Sequence, residues 1–419
     1  MARRIQKPEL ITGLDIGSTG IRAAVGQYIS SNDLGSELQI IATAEVASEG
    51  IHKGTITSIE EAVSSIAHVL EEIDRLVGVP IDNAWVGISG TQIKSQENRG
   101  VVAVAKTDGE ISQEDVLRVI DSTQTIAAPL NYEVLHVLPK YFSVDGQTGI
   151  KDPVGMTGVR LEADAQMIYG STPHIKNITK AIYRTGIEID DLVLSVVAAA
   201  DVVLTQKQKD LGVALVDIGG STTTLSVYEE GNLLYTAIVP IGSNHITNDI
   251  ALGLQTSIDV AEKIKVMYGS CIIKGITRRD VINLSEFGEP DQVVSQRFVV
   301  EIIAARVVEI LEKLEEELVK ADRQAMLPAG VVFIGGGSRI RGLVELAKNV
   351  LHMNASYGFA KGVNSATDII NDLSYVTAVG LVRWGAYVQE KALSQPGFLI
   401  PGGKKAAAHM KKLFRFLVP

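Results

Sequence analysis

The chain has 419 residues, of which 46% are hydrophobic and 21% charged, so it is long enough for two to four domains with packed cores. Its net charge of −10 argues against a nucleic-acid-binding protein, because a phosphate backbone is bound by clustered lysine and arginine. The single cysteine, Cys271, excludes an internal disulfide, and the histidines show no metal-binding spacing. No stretch of about 20 apolar residues is present to span a bilayer.

The first strand pattern ends in the sequence LDIGST, from Leu14 to Thr19. Asp15 stands at the strand end, and a turn containing Gly17, Ser18 and Thr19 leads into a second strand. Backbone N–H groups in such glycine turns form concave nests that bind phosphate, and the aspartate can hold a divalent cation through water. The sequence therefore predicts a phosphate-binding hairpin here.

A helix and then an inserted unit follow this hairpin. Apolar residues recur at helical spacing from Ile59 to Val77, with Ser58 or Thr57 as the N-cap and Gly78 as the stop. Strands and helices alternate afterwards, which indicates an α/β architecture. Residues 85–161 have their own pattern of strand, amphipathic helix and strand, which predicts a small subdomain inserted into the first half.

The second half repeats the hairpin in the sequence VDIGGST, from Val216 to Thr222. Asp217 again ends the strand, and the turn contains Gly219, Gly220, Ser221 and Thr222. Two such turns that face each other would clamp one polyphosphate, with Asp15 and Asp217 ordering water around Mg²⁺. Further helices are predicted from about Asn244 to Tyr268 and from about Gln296 to Met326.

A third glycine loop lies between a strand and a helix in the segment from Val331 to Val350. Its glycines let the backbone approach a flat ring or a phosphate, and an arginine plane can stack on adenine. A Rossmann loop is excluded because Ile340 stands where its last glycine belongs, and no Walker A sequence occurs. Any one glycine run could be only a tight turn, but three in this order favour a nucleotide site. The loop residues are Gly335, Gly336, Gly337, Ser338 and Arg339.

The chain ends in a helix, a linker and a basic tail. The helix is predicted from Ser374 to Lys391, where Gly380 and Gly385 would allow close helix packing between the halves. Residues 394–403 are rich in proline and glycine and predict a linker. Residues 404–419 carry five basic residues and no acid. As a helix, this tail could lie in the headgroup plane of a membrane or pack on the protein itself. Its apolar face would consist of Met410, Leu413, Phe414 and Leu417.

The order of the three glycine loops resembles the actin, Hsp70 and sugar-kinase superfamily. This resemblance implies an actin-like, ribonuclease H-like duplicated α/β fold, whose two halves close over ATP. The sequence AEKIK, from Ala261 to Lys265, is similar to a helix of prokaryotic actins, which implies that Glu262 and Lys265 reach the ribose and adenine. The same likeness implies that Gly242 approaches the phosphates.

The predicted connecting helix lacks a catalytic side chain. In prokaryotic actins a glutamate lies just before a run of small residues, whereas the matching run here, 194–200, has neither carboxylate nor amide. Because hydrolysis needs a side chain that activates water, we expect at most a weak ATPase and a primarily structural role.

Two long segments resemble the FtsA family of bacterial cell-division proteins: GVVAVAKTDGEISQEDVLRVI from Gly100 and VDGQTGIKDPVGMTGVRLE from Val144. The likeness spans nearly the whole chain and implies an FtsA-type arrangement of subdomains. These are 1A at 1–84 and 162–195, the inserted 1C at 85–161, 2A at 196–242 and 318–393, 2B at 243–317, the linker at 394–403, and a membrane-targeting tail at 404–419.

This second resemblance implies an ATP-binding protein that polymerises on the cytoplasmic face of the cell membrane at the division site. There it would anchor the ring of the tubulin-like protein FtsZ and recruit later division proteins through the insert. Arg297 and Arg306 are candidate contacts for an acidic FtsZ peptide, although plain surface charge is the alternative. Two other functions stay open: an actin-like membrane scaffold of type IV pilus assembly, and a small-molecule kinase or ATPase of the same fold.

Overall fold

The computed structural model describes residues 10–31, 35–125, 128–277, 279–290, 292–365 and 368–394. The predicted linker beyond residue 394 and the predicted basic tail therefore lie outside the described residues. Within the described ranges, no helix is both long enough and apolar enough to cross a membrane.

The first half is built on a six-stranded sheet. Its strands are β1 Leu10–Ile16, β2 Gly20–Ser31, β3 Gly35–Ala47, β6 Asn83–Ile88, β11 Glu188–Leu194 and β19 Asn364–Ser365, and a small hairpin consists of β4 Ile51–His52 and β5 Thr55–Ile56. The strand order is β11-β6-β1-β2-β3-β19. β1, β2 and β3 pair antiparallel, whereas β1, β6 and β11 run parallel.

Two helices cover one face of this sheet: α1 Ile59–Val77 and α3 Thr172–Arg184. The predicted limits of α1 are confirmed. The Ser58 hydroxyl accepts a hydrogen bond from the Glu61 amide, and Gly78 ends the helix at φ 80°, a left-handed conformation that glycine adopts without strain.

The second half repeats the same topology. Its strands are β12 Val213–Ile218, β13 Thr223–Glu229, β14 Asn232–Val239, β17 Val331–Ile334 and β18 Ala355–Tyr357. The order β14-β13-β12-β17-β18 matches β3-β2-β1-β6-β11 of the first sheet, with the same parallel and antiparallel pairs. The predicted duplicated, actin-like α/β fold is confirmed by this correspondence.

The insert is a separate four-stranded antiparallel sheet with one helix on it. It contains β7 Ile93–Ala103, β8 Tyr132–Val144, β9 Gln147–Ile150, β10 Arg160–Ser171 and α2 Gln113–Thr123. The strand order is β7-β10-β8-β9. The sequence-based limits of 85 and 161 fall inside strands β6 and β10, because periodicity alone does not separate a strand of the first sheet from the insert that follows it.

Strand β8 joins the insert to both halves. The Nε2 atom of His136 accepts a hydrogen bond of 2.9 Å from the amide of Leu194 in the first half. Further along the strand, the carbonyl of Lys140 accepts a bond of 2.6 Å from the Asn232 side chain in the second half. The insert is therefore held against both sheets.

A mostly helical region extends the second half. It contains α6 Ser243–Leu254, α7 Ile258–Tyr268, α8 Gln296–Lys320 and the hairpin β15 Val281–Asn283 with β16 Val293–Ser295. Gln255 at φ 53° separates α6 from α7. Helix α8 ends at Lys320 rather than near Met326, because the chain turns at Asp322, whose φ is 54°.

Helix α4 Ser195–Val203 connects the halves and leads into α5 Gln206–Leu211. The last helix, α10 Val376–Ser394, crosses α4 and packs on β1, β2 and β6 of the first sheet. A Cβ atom on Gly380 would lie 2.3 Å from the carbonyl oxygen of Ala198, so glycine is required at this crossing. Gly385 instead meets Trp85 of β6 in the first half, where a Cβ would lie 2.4 Å from the indole nitrogen. The remaining helix, α9 Leu343–Leu351, follows the third glycine loop.

Candidate nucleotide-binding cleft

A cleft of about 370 Å³ lies between the two halves. All three predicted glycine loops reach it, from β1–β2, from β12–β13 and from the turn after β17. The predicted residues that line it are Asp15, Gly17, Ser18, Thr19, Asp217, Gly219, Gly220, Ser221, Thr222, Glu262, Lys265, Gly335, Gly336, Gly337 and Arg339. The structure thus brings together residues that are far apart in the chain.

The two hairpin turns face each other closely. A Cβ atom on Gly220 would lie 1.8 Å from the Thr19 hydroxyl oxygen, so the second turn needs glycine where the first approaches it. The first turn is fixed from behind, because the Ser18 hydroxyl accepts a bond of 2.9 Å from the amide of Gly54. Backbone amides of both turns are therefore positioned around one space.

Two predicted site residues support the cleft without lining it. Gly242 packs under the second turn, where a Cβ would lie 2.6 Å from the carbonyl oxygens of Gly219 and Gly220. Ser338 is fully buried, and its hydroxyl donates a hydrogen bond of 2.5 Å to the carbonyl of Ile334. Both residues shape the loops that carry the lining positions.

Asp15 and Asp217 occupy equivalent positions on the two sheets. Burial raises the pKa of Asp15 to about 6, partly offset by the Arg22 charge. Burial also raises the pKa of Asp217 to about 7, and the negative charge of Asp15 raises it further. Two carboxyl groups that disfavour each other's charge in a partly buried cleft fit a divalent cation.

The protein side chains alone do not form a metal centre. In the part of the chain that the structure describes, no cluster of three or more His, Cys, Asp or Glu residues is arranged to hold a metal ion. A Mg²⁺ ion at Asp15 and Asp217 would therefore take its other ligands from phosphate and water, which suits the preference of this ion for retained water.

Glu262 and Lys265 lie on one wall of the cleft and are held there by Thr247. The Lys265 ammonium lies 2.6 Å from Glu262 Oε2 and donates a bond of 2.8 Å to the Thr247 hydroxyl. The Thr247 hydroxyl in turn donates a bond of 2.5 Å to Glu262. This wall therefore presents one acceptor and one donor group to the cleft.

The third loop leaves an open surface at Gly336. The nearest atom to a Cβ placed there is Ser374 Cβ, at 3.9 Å. By contrast, Gly335 has φ 86°, and a Cβ on it would lie 2.1 Å from Asp217 Oδ1. Arg339 pairs with Asp372 and donates a bond of 2.9 Å to the Ser374 hydroxyl. Its guanidinium group is thereby held at the edge of the cleft.

Sequence reasoning missed several lining residues. Arg22 lies opposite Asp15 in the β1–β2 pair, and Thr224 lies opposite Asp217 in the β12–β13 pair. Pairing the two hairpins residue by residue would have found both, because directly opposed residues of a strand pair share a face. The other missed polar lining residues are Glu45, Ser89, Ser195, Ser243, Ser374 and Thr377.

The two candidate partner contacts differ in their surroundings. Arg306 is largely buried and donates bonds of 2.6 Å and 2.8 Å to the two oxygens of Asp249. Arg297 is about half exposed at the start of α8 and pairs with Glu301 at 2.8 Å. Arg297 is therefore the more accessible of the two. The predicted membrane-facing residues Met410, Leu413, Phe414 and Leu417 lie outside the described residues.

The duplicated sheets and the cleft between them define an actin-like protein. The chain is similar to the structure of the PilM–PilN type IV pilus biogenesis complex, with a TM-score of 0.64 and 16% identity over 90% of this chain and 98% of that chain. It is also similar to MreB 5 of Spiroplasma citri bound to AMPPNP, with a TM-score of 0.54 and 13% identity over 93% of this chain and 99% of that chain. At these identities the likeness shows the shared fold.

Sequence comparison identifies the family. A family model described as cell division protein FtsA matches residues 214–380, and one described as the SHS2 domain inserted in FtsA matches residues 90–169. Cell division protein FtsA of Pseudomonas aeruginosa is 35% identical over 93% of this chain and 92% of its own length. The FtsA of Bacillus subtilis is 36% identical over 94% of this chain and 87% of its own length. The chain belongs to the FtsA family of actin-like cell-division proteins.

Proposed function

We propose that this chain binds Mg·ATP between its halves, polymerises, and anchors the FtsZ ring to the cytoplasmic face of the cell membrane at the division site. In this proposal the insert helps to recruit later division proteins, and the tail 404–419 contacts the membrane. The observation that carries the proposal is the convergence of three glycine turns and two aspartates on one cleft. Membership of the FtsA family does not favour the pilus-scaffold and kinase alternatives.

The cleft suits a nucleoside triphosphate because each part has a matching surface. The two turns at 17–19 and 219–222 offer backbone N–H groups to the phosphates. Mg²⁺ would neutralise phosphate charge beside Asp15 and Asp217. The ribose and base would lie between the wall formed by Glu262 and Lys265 and the open surface at Gly336. An actin-like neighbour, MreB 5, has a structure bound to AMPPNP, which supports nucleotide binding by this fold.

Gly336→Val tests whether ATP binds in the cleft, because an added side chain there does not clash with the protein at its Cβ. A Cβ on Gly336 would have only Ser374 Cβ within 4 Å, at 3.9 Å, so a valine there would extend into the cleft. We expect ATP affinity, measured by calorimetry, to fall by about tenfold or more, with an unchanged midpoint of thermal unfolding. Asp217→Ala should weaken Mg·ATP as well. Unchanged ATP affinity in both variants would mean that the nucleotide does not bind here.

The proposed FtsZ contact is tested at Arg297. A reversal to glutamate should weaken binding of an acidic peptide from the tail of FtsZ, because an exposed cation would become a repelling anion. Lys320→Glu at the other end of α8 is the matched control, since its side chain is also exposed. Equal effects of the two reversals would indicate non-specific charge attraction and would place the contact elsewhere.

A further inference from the structure

Arg22 stands in a row of charged residues across three strands of the first sheet. It is directly opposite Asp15 in the β1–β2 pair and directly opposite Glu45 in the β2–β3 pair. Opposed residues on neighbouring strands lie on the same face, with Cβ atoms about 5 Å apart. All three side chains line the cleft. Arg22 is therefore a neighbour of the aspartate proposed to order Mg²⁺.

The second half of the protein has no arginine at the position equivalent to Arg22. The second sheet has the same hairpin, and the residue opposite its aspartate is Thr224, which also lines the cleft. The two halves thus match at the aspartates but differ at the residue opposite, where the first half carries a fixed positive charge. The hairpin fold does not itself require an arginine here, because a threonine occupies the equivalent position in the second half.

The guanidinium group of Arg22 is only partly satisfied by protein partners. It pairs with Glu45, and its central carbon lies 6.0 Å from the centre of the Tyr375 ring. The side chain is 17% exposed, and in the described part of the chain its buried Nε has no hydrogen-bond partner. Its positive charge acts on both carboxyl groups, since it lowers the pKa of Asp15 and of Asp217.

We propose that Arg22 is a phosphate-binding residue of the cleft, whose permanent charge supplies part of the neutralisation that a divalent cation would otherwise have to supply. The inference rests on the proposed nucleotide site. A triphosphate beside two aspartates concentrates negative charge in a partly buried space, where uncompensated charge is costly. A guanidinium group opposite Asp15 reduces that cost, and its exposed part can form charge-assisted hydrogen bonds to phosphate oxygens.

The test compares ATP affinity in Mg²⁺ with ATP affinity in EDTA. Arg22→Gln keeps a long polar side chain but removes the charge. We expect it to weaken ATP about tenfold in Mg²⁺ and more strongly in EDTA, whereas adenosine affinity stays unchanged. Arg22→Lys keeps the charge. We therefore expect the ratio of its ATP dissociation constant in EDTA to that in Mg²⁺ to stay within about threefold of the ratio for the unmodified protein.

Glu45→Gln separates phosphate binding from a purely structural ion pair. It removes the carboxylate partner of Arg22 and leaves the cation in place, so any loss of ATP affinity should be smaller than the loss in Arg22→Gln. The inference is overturned if Glu45→Gln weakens ATP as much as Arg22→Gln does, or if Arg22→Gln weakens adenosine and ATP equally. It is also overturned if Arg22→Gln leaves unchanged the ratio of the ATP dissociation constant in EDTA to that in Mg²⁺.

If the proposed nucleotide site itself is wrong, the binding measurements give a different set of results. If the unmodified protein binds neither ATP nor adenosine, the proposed function fails and the role of Arg22 fails with it. If the unmodified protein binds ATP and Gly336→Val abolishes that binding, the site stands, and the Arg22 variants alone decide the inference.

Discussion

At the scale of single residues, the charged carboxylates of Asp15 and Asp217 destabilise the folded protein when no ligand is bound. Asp15 and Asp217 have raised pKa values because burial disfavours their charged forms, and the negative charge of Asp15 adds to the shift of Asp217. A group with a raised folded-state pKa binds more protons in the folded state than in the unfolded state. Its contribution therefore lowers stability as the pH rises from about 4 to about 7. A cation bound between the carboxyls would remove this cost.

Asp217→Asn should stabilise the protein without ligand at pH 8, where the wild-type carboxyl is ionised. Because both carboxyls are partly open to solvent at the cleft wall, we expect a gain of about 1–3 kcal/mol in the free energy of unfolding. At pH 4 the gain should nearly vanish, since the native aspartate is protonated there. Chemical denaturation without nucleotide or Mg²⁺ measures both values. A variant that is equally or less stable at pH 8 would refute the electrostatic cost.

Sequence reasoning identified cleft-lining residues where a local signal existed. The glycine turns around Asp15 and Asp217 were visible because backbone nests need glycine and small polar residues at fixed positions. Arg22 was missed because its role depends on cross-strand pairing, which a linear pattern does not display. Ser374 and Thr377 reach the cleft through the tertiary placement of α10, for which the local sequence carries no signal.

At the scale of elements, the start of α4 lies at the cleft between the halves. Its first residue, Ser195, lines the cleft, while the rest of the run up to Ala200 is buried. This segment contains no carboxylate or amide, and a serine hydroxyl beside Asp15 is a poor base for activating water.

We therefore expect ATP turnover well below about 1 per second, the lower end of ordinary enzyme rates. A phosphate-release assay with purified protein measures it, and a Gly336→Val sample controls for contaminating ATPases. Turnover of 10 per second or more that disappears in Gly336→Val would mean that another lining residue activates water.

Element boundaries were predictable where capping residues mark them. Helix α1 begins after Ser58 and ends at Gly78 as predicted, because a side-chain cap and a left-handed glycine fix its ends. Helix α8 was predicted too long, since its apolar pattern is not interrupted by proline or glycine before Asp322 turns the chain. The start of the insert was displaced for a related reason: only four residues separate β6 of the first sheet from β7 of the insert.

At the scale of the whole molecule, membrane attachment would depend on the tail and on assembly together. One short amphipathic helix binds a membrane weakly, whereas a filament that carries many such helices binds strongly, because each bound subunit raises the effective concentration of the next.

Removal of the residues after Gly403, or replacement of Leu413 and Phe414 by aspartate, should abolish most co-sedimentation with anionic liposomes. The reason is that the apolar face can no longer insert among acyl chains. Lys320→Glu, which keeps the tail and the cleft intact, controls for a general effect of a surface substitution. Full liposome binding by both tail variants would exclude the tail as the anchor.

The most direct test of the proposed function is a crystal structure with Mg²⁺ and a non-hydrolysable ATP analogue. We expect phosphates between the turns at 17–19 and 219–222, with the metal beside Asp15 and Asp217. We expect the adenosine between Gly336 and the wall formed by Glu262 and Lys265. An analogue bound outside this cleft, or a cleft that stays empty at saturating analogue, would contradict the proposed function.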